Sequence, residues 1–419
     1  MENAVKERME VMTMKRNTIY RILYIILFLV ASVPLACEYV MEGGDVLIWL
    51  ARIEEIVRGL KFGELIFFPS VELTVAKGGQ YSALSSNLWL LFPAMVRLLG
   101  GTITFAYRSY LLLLNLMALF AGKKLFECIF EDKRTAFIGV LLYMTSPYRI
   151  YLCYDKGSMG MMAAWTLIPL ALWGMLRIFQ KKADWKCLAI TTVTFAGIGY
   201  ADGMLMLLTA GIGLLGVVWY RKIMGLLPLV VGAVLYLPGM IYPVRYLVKG
   251  GMEVWSLPLT SISPKGYTIG QFFSSWVYKE DCPGFGLGLM VALTVLLWLA
   301  FVEGHLQILK KYGFFVVATV LFMCMALKIF PWDVVQRIAP IFLRLVPLME
   351  TPGVCFGFAT LTACVLGSYG VECVAKQESV FVRIGIPVMV IIAAVGIAMY
   401  TCNTLVYNRF PMYLLDVLP

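Results

Sequence analysis

The chain has 419 residues, of which 61% are hydrophobic and only 14% charged, with a mean hydropathy of +0.84. A soluble protein carries about 25% charge, so this much apolar surface is covered only by lipid; a disordered chain, a secreted disulfide scaffold and a string of soluble domains are excluded. The net charge of +10 is scattered in short clusters between apolar runs, which argues against a nucleic-acid partner and for a code of membrane topology.

A transmembrane helix needs about 20 mostly apolar residues. Eleven such spans are predicted: Tyr20–Val40, Ile103–Gly122, Thr135–Ile150, Met159–Phe179, Trp185–Tyr200, Met204–Trp219, Ile223–Tyr242, Phe285–Val302, Tyr312–Phe330, Gly353–Glu372 and Ile384–Cys402. The expectation is an all-α polytopic membrane protein with a single transmembrane domain over 1–419. A first span at 20–40 leads to an outer loop at 41–101, a helix bundle at 103–242, a second outer loop at 243–284, C-terminal spans at 285–402 and an outer tail at 403–419. Basic clusters fix the orientation. Lys6, Arg8, Lys15 and Arg16 precede the first span; Lys123, Lys124, Lys133 and Arg134, then Arg177, Lys181, Lys182 and Lys186, then Arg221 and Lys222, Lys310 and Lys311, and Lys376 and Arg383 fill alternate turns. These turns read as cytoplasmic by the positive-inside rule, which puts the N-terminus inside and the C-terminus outside. The ten cysteines lie in or beside apolar runs without a CxxC pair and read as small apolar residues.

Three segments on the predicted outer side are too long for turns: Met41–Gly101, Pro243–Gly284 and Pro331–Pro352. In the first, Val46, Trp49, Leu50, Ile53, Val57 and Leu60 recur at helical spacing opposite Arg52, Glu54, Glu55 and Arg58. The run Asp45–Leu60 is too polar to span, and it is expected to lie in the outer interface with its apolar face in lipid. Leu84–Leu99 is predicted to form a second, half-embedded helix. The aromatics Trp89, Trp255, Trp276 and Trp332 fall in these loops, where rings favour the interface and can stack on sugars. They are expected to roof a groove open to the outer leaflet. Asp45 follows Gly43 and Gly44 where the first span ends, a place where a carboxylate can meet a lipid headgroup.

From these residues the chain resembles the GT-C-type membrane glycosyltransferases. Within them it resembles the bacterial multi-pass proteins known as 6-pyruvoyl-tetrahydropterin synthase-related, and the YfhO-type proteins. The likeness rests on Gly44-Asp45-Val46-Leu47-Ile48-Trp49-Leu50-Ala51-Arg52-Ile53, Pro93-Ala94-Met95-Val96-Arg97-Leu98-Leu99-Gly100, Ala106-Tyr107, Asn115, Leu142-Tyr143-Met144-Thr145-Ser146-Pro147-Tyr148-Arg149 and Phe330-Pro331-Trp332-Asp333, in that order along nearly the whole chain. It departs where the family carries histidines, here Gly44, Trp49 and Asp202, where a family glutamate is Met161, and where a late family arginine is Val354. The one histidine of the chain, His305, falls on the predicted inner side.

The resemblance implies transfer of a sugar from a polyprenyl-phosphate donor to an envelope glycan acceptor, in contact with membrane lipids. Asp45 is the expected general base. Arg52, Arg149, Lys156, Arg245 and Trp332 are expected to bind substrate, and Asp155 and Asp202 to shape the site. The resemblance fixes no cofactor; a metal held by Asp45, Asp155 and Asp202 would be a hard ion such as Mg²⁺ or Mn²⁺. Two other readings stand beside transfer: a degenerate relative that binds lipid-linked glycans or partners an active transferase, and a transporter. The transporter is disfavoured because ionisable residues are nearly absent from mid-span.

Overall fold

The structure is a computed structural model that describes residues 2–36, 40–41, 46–67, 86–249, 266–274, 284–302, 307–338, 351–408 and 411–412. Helix α1 (Glu2–Ser32) carries the first span, and α2 (Val46–Lys61) and α3 (Leu91–Leu98) lie in the first loop. The bundle continues through α4 (Ile103–Ile129), α5 (Lys133–Met144), α6 (Pro147–Ile150), α7 (Met159–Phe179), α8 (Trp185–Ala201), α9 (Gly203–Tyr220) and α10 (Leu226–Lys249). After the short α11 (Ile269–Ser274) come α12 (Leu287–Val302), α13 (Gln307–Ala326), α14 (Trp332–Ile338), α15 (Thr351–Val374) and α16 (Val380–Asn408).

A helix stands in each of the eleven predicted spans. Seven helices among the described residues are long and apolar enough to cross a bilayer, or eight if the bent pair α5–α6 is one span; α12 and the apolar part of α13 are shorter. The third span bends by 44° between α5 and α6. Pro147 opens α6; it lacks the N–H that would continue α5 and disfavours helical backbone at Ser146. Beyond α6 the chain winds into one π-helical turn, Tyr151–Lys156, which ends at Gly157 in the left-handed region (φ 65°). Short polar side chains begin the helices. Thr102 accepts the Phe105 N–H at 3.1 Å, Asp184 that of Cys187 at 2.9 Å and Asp202 that of Leu205 at 2.8 Å, each answering an amide that the first turn leaves unpaired.

The apolar windows of α7 and α15 are 94% buried, whereas those of α1, α10 and α16 are 28%, 28% and 22% buried. The first two are therefore the axis of the bundle, and the other three present Ile22, Val230 and Ile392 outward, where lipid covers them. Residues Val40–Met41 (β1) pair antiparallel with Pro411–Met412 (β2), Met41 opposite Pro411. The exit of the first span and the segment after α16 thus lie at the same end of the bundle.

One expectation is corrected. The apolar face of α2 does not lie in lipid: Val46, Trp49, Leu50, Ile53, Ile56 and Val57 are buried within the protein. Arg52, expected on the polar face, is fully buried as well. The reason is a tertiary partner 35 residues away. Arg52 donates from Nε and Nη2 to Asn87 Oδ1 at 2.8 and 2.5 Å, and its guanidinium stacks 4.5 Å from the Trp49 ring centroid. The shorter α3 does present Phe92, Met95 and Leu99 outward over buried Pro93 and Ala94, as a half-embedded helix would.

Candidate functional site

Three segments meet at the α2 end of the bundle. The first is the start of α2. Val46 is buried and lies so close to Gly157 that a Cβ on that glycine would overlap Val46 Cγ2. The second is the Lys156–Gly160 turn. A Cβ on Gly160 would stand 2.7 Å from Trp49 Cη2 and 2.8 Å from the Ala201 carbonyl oxygen, so glycine allows both neighbours to approach. The third is the α8–α9 junction, where Asp202 ends one helix and caps the next. The segment at 86–90 binds these together. Ser86 Oγ donates to Tyr200 O at 2.8 Å and Trp89 Nε1 to Gly197 O at 3.0 Å, while Asn87 holds Arg52.

The electrostatics of this junction centre on Asp202. Burial pushes its carboxyl up from the usual aspartate value of 3.8, against the Leu205 and Met204 amides and the nearby Lys156 ammonium, which hold it down. Lys156 is half-buried beside Met161, Nζ 3.0 Å from Sδ. The Lys156 ammonium thus acts electrostatically on the Asp202 carboxylate, which in turn acts on the Tyr148 and Tyr236 hydroxyls. Asp155 is buried in the π-helical turn just before Lys156.

The other expected site residues are dispersed. Arg149 is buried on α6 and bonded to Asn115. Trp332 is buried, with its Nε1–H on the Met325 carbonyl oxygen at 2.7 Å and its ring 4.8 Å from that of Phe330; it braces α13 against α14. Arg245 lies on the last turns of α10, and its side chain is outside the described residues. Asp45, Trp255, Trp276 and His305 also lie outside them; of the expected aromatic roof only Trp89 and Trp332 are described, and each donates its Nε1–H to a backbone carbonyl oxygen. Among the described residues no three His, Cys, Asp or Glu side chains gather as a metal set. Residues not foreseen as site-builders are Asn87, Tyr154, Tyr148 and Tyr236. Asn115 was visible as a polar residue inside an apolar run, a pattern that marks function or helix–helix bonding in membranes. A small crevice lies elsewhere, between Ser146, Pro147, Phe285, Gly286 and Ala394.

No described protein family and no curated protein matches the sequence. Among solved structures, the chain is similar to ArnT from Cupriavidus metallidurans, crystallised bound to undecaprenyl phosphate. The two superpose with a TM-score of 0.55 at 12% identity, over 93% of this chain and 76% of ArnT. The fold is of GT-C type. The sequence resemblance and the superposition therefore agree on a multi-pass membrane protein of GT-C architecture, reached by independent routes.

Proposed function

We propose that this protein is a membrane glycosyltransferase that moves a sugar from a polyprenyl-phosphate carrier to a hydroxyl of an envelope glycan or polymer at the outer face. The observation that supports it most is a GT-C fold shared along 93% of the chain with a protein crystallised on undecaprenyl phosphate. Beside it stands the meeting of the α2 start, Lys156 and Asp202 at one end of the bundle. Asp45 immediately precedes Val46 in the chain, and Val46 is the residue packed on Gly157.

In this reading the acceptor oxygen attacks the anomeric carbon of the donor. The bond from that carbon to the phosphate oxygen breaks, and polyprenyl phosphate leaves with the electron pair. The acceptor proton passes to Asp45. An ordinary aspartate, with a pKa near about 3.9, is a weak base in water, and desolvation at the membrane rim strengthens it. Lys156 and Arg245 offset the charge of the leaving phosphate, while Asp155 and Asp202 shape the pocket. With a divalent ion present, its oxygen ligands would be Asp45, Asp155 and Asp202. The proposed topology has the N-terminus in the cytoplasm and the C-terminus outside; the β1–β2 pair is consistent with it, since it needs both partners on one side.

A second reading is favoured by one observation. The Asp202 carboxylate is committed to capping α9, and the histidines of the resembling family are missing, so few proton carriers remain. That is the composition of a binder of lipid-linked glycans. The purified protein, given a panel of polyprenyl-phosphate sugars and an envelope acceptor fraction, distinguishes the two. Transfer that falls by about 10²–10⁴-fold in Asp45→Asn supports the base. Full activity in that variant overturns the assignment, and donor binding without any transfer in the wild type favours the binder.

A further inference from the structure

Among the described residues, those that are not glycine yet have left-handed backbone are Lys181 (φ 57°) and Arg221 (φ 53°). Each follows the last turn of a helix and closes it by the same pair of bonds. At the end of α7 the Lys181 amide donates to Ile178 O at 3.1 Å and that of Lys182 to Arg177 O at 2.9 Å. At the end of α9 the Arg221 amide donates to Val218 O at 3.3 Å and that of Lys222 to Val217 O at 3.1 Å. The ends of α2 and α3 are closed by the same pattern with Gly63 (φ 77°) and Gly100 (φ 96°) at the left-handed position, where glycine avoids the clash of a Cβ. The helix dipole favours a cation at a C-terminus, but at an exposed site that attraction is smaller than the cost of left-handed backbone in a residue with a Cβ. Lys181 and Arg221 thus stand where the cap alone calls for glycine.

The two helix ends are neighbours. The Phe179 ring stacks on Tyr220, with centroids 5.0 Å apart and planes at 19°, and it fills the space that a Cβ on Gly216 or Gly225 would need. Lys181 follows Phe179 by two residues, and Arg221 follows Tyr220 directly. The turn after α7 is held further by Arg177, whose Nε and Nη2 donate to Lys182 O at 3.2 and 2.8 Å. Its carboxylate, Asp184, accepts the Cys187 amide and caps α8. Lys181, Lys182 and Arg221 are exposed, and Lys222 is half-buried. Val218, Ile223 and Met224, on either side of Arg221 and Lys222 in the chain, are exposed as well. Both helices begin at the α2 end, where Gly160 meets Trp49 and Asp202 caps α9. They run 21 and 18 residues, or about 27–31 Å, so their paired ends reach the opposite surface of a hydrocarbon core about 30 Å thick.

We propose that the paired turns Lys181-Lys182 and Arg221-Lys222 form a ledge that binds the headgroup of an anionic phospholipid in the leaflet at that end, the cytoplasmic one in the proposed topology. Cations fixed on two tight turns suit a phosphate that carries net charge, and the exposed apolar residues beside them suit its acyl chains. A zwitterionic headgroup brings its own ammonium and gains less. Orienting the chain in the bilayer needs only enough cations in a turn; it does not call for them at left-handed positions. The ledge does not depend on the proposed reaction, which is placed at the other end of the bundle.

The test uses the full chain in nanodiscs of dioleoyl phosphatidylcholine, with dioleoyl phosphatidylglycerol as the probe. Native mass spectrometry reads the lipid retained, and thermal unfolding reads stability. The wild type should retain phosphatidylglycerol over phosphatidylcholine by at least about tenfold, and lose the preference at high salt. Lys181→Gly/Arg221→Gly removes two charges and relieves two left-handed positions. In phosphatidylcholine alone it should be as stable as the wild type or more so, while its preference falls about tenfold. Lys123→Gln/Lys376→Gln removes two charges from other turns expected on the same side, and should keep the preference. An equal loss in both pairs overturns the proposal, because the attraction would then belong to the whole basic surface. Wild-type preference in Lys181→Gly/Arg221→Gly overturns it as well. If the glycine pair is less stable in phosphatidylcholine, Lys182→Gln/Lys222→Gln decides, since it leaves the left-handed residues in place. A loss of preference at wild-type stability in that pair supports the ledge, and an unchanged preference overturns it. Sugar transfer from a polyprenyl-phosphate donor, assayed separately, tests the proposed function whichever way the lipid preference falls.

Discussion

Gly157 is the position at which a single methyl group should separate the start of α2 from the Lys156 turn. Its φ of 65° is in the left-handed region, and a Cβ there would overlap Val46 Cγ2. Gly157→Ala therefore carries two costs: about 1–2 kcal/mol for left-handed backbone at a residue with a Cβ, and about 1–3 kcal/mol for overpacking. Gly63 isolates the first cost, because its φ is 77° and nothing lies within 4 Å of its would-be Cβ. Gly63→Ala should lose about 1–2 kcal/mol, and Gly157→Ala about 2–5 kcal/mol. Shortening Val46 to alanine removes the overlapping methyl, so the Val46→Ala/Gly157→Ala pair should be more stable than the sum of the single losses, by about 0.5–3 kcal/mol. Equilibrium unfolding in mixed micelles measures each term. If Gly157→Ala costs no more than Gly63→Ala, or if the double variant is additive, then the contact does not lock α2 to the turn. Under the proposed function Gly157→Ala also lowers sugar transfer, since it moves the segment that begins one residue after Asp45.

Two further outcomes follow from the structure. Burial raises the Asp202 pKa above the ordinary 3.8, so the folded state holds this proton more tightly than the unfolded chain; the stability it contributes is complete below that value and is lost as pH rises through the folded pKa. Asp202→Asn keeps an N-cap oxygen and should abolish this component of the pH dependence of thermal stability; an unchanged profile would show that the carboxylate is ionised at no cost. For topology, reporter fusions at Lys182 and Lys265 should report opposite sides of the membrane, with Lys182 cytoplasmic, and a result with both on one side would refute the proposed orientation.

What could be read from residue order alone was what depends on near neighbours. The eleven apolar runs each hold a helix, and the 3.6-residue spacing of Val46, Trp49, Leu50, Ile53 and Val57 marks α2 within a residue of its start. The run Thr135–Ile150 reads as one span, yet Pro147 within it breaks the helix, and nothing local signals the π-helical turn after it. Amphipathicity states that a face is apolar, not what covers it, and so α2 was assigned to lipid when it is the protein that buries it. Arg52 shows the same limit: its neighbours on the helix are charged, and Asn87, 35 residues on, helps to make its burial tolerable. Arg149 carries the point to the site itself. At the end of an apolar span an arginine reads as a side chain reaching for the interface. Packing instead encloses it between α4 and the turn after α6, where its Nη2 donates to Asn115. Only the relative placement of α4, α6 and the π-helical turn, none of which is unusual alone, encloses this side chain, and neither composition nor spacing states that placement.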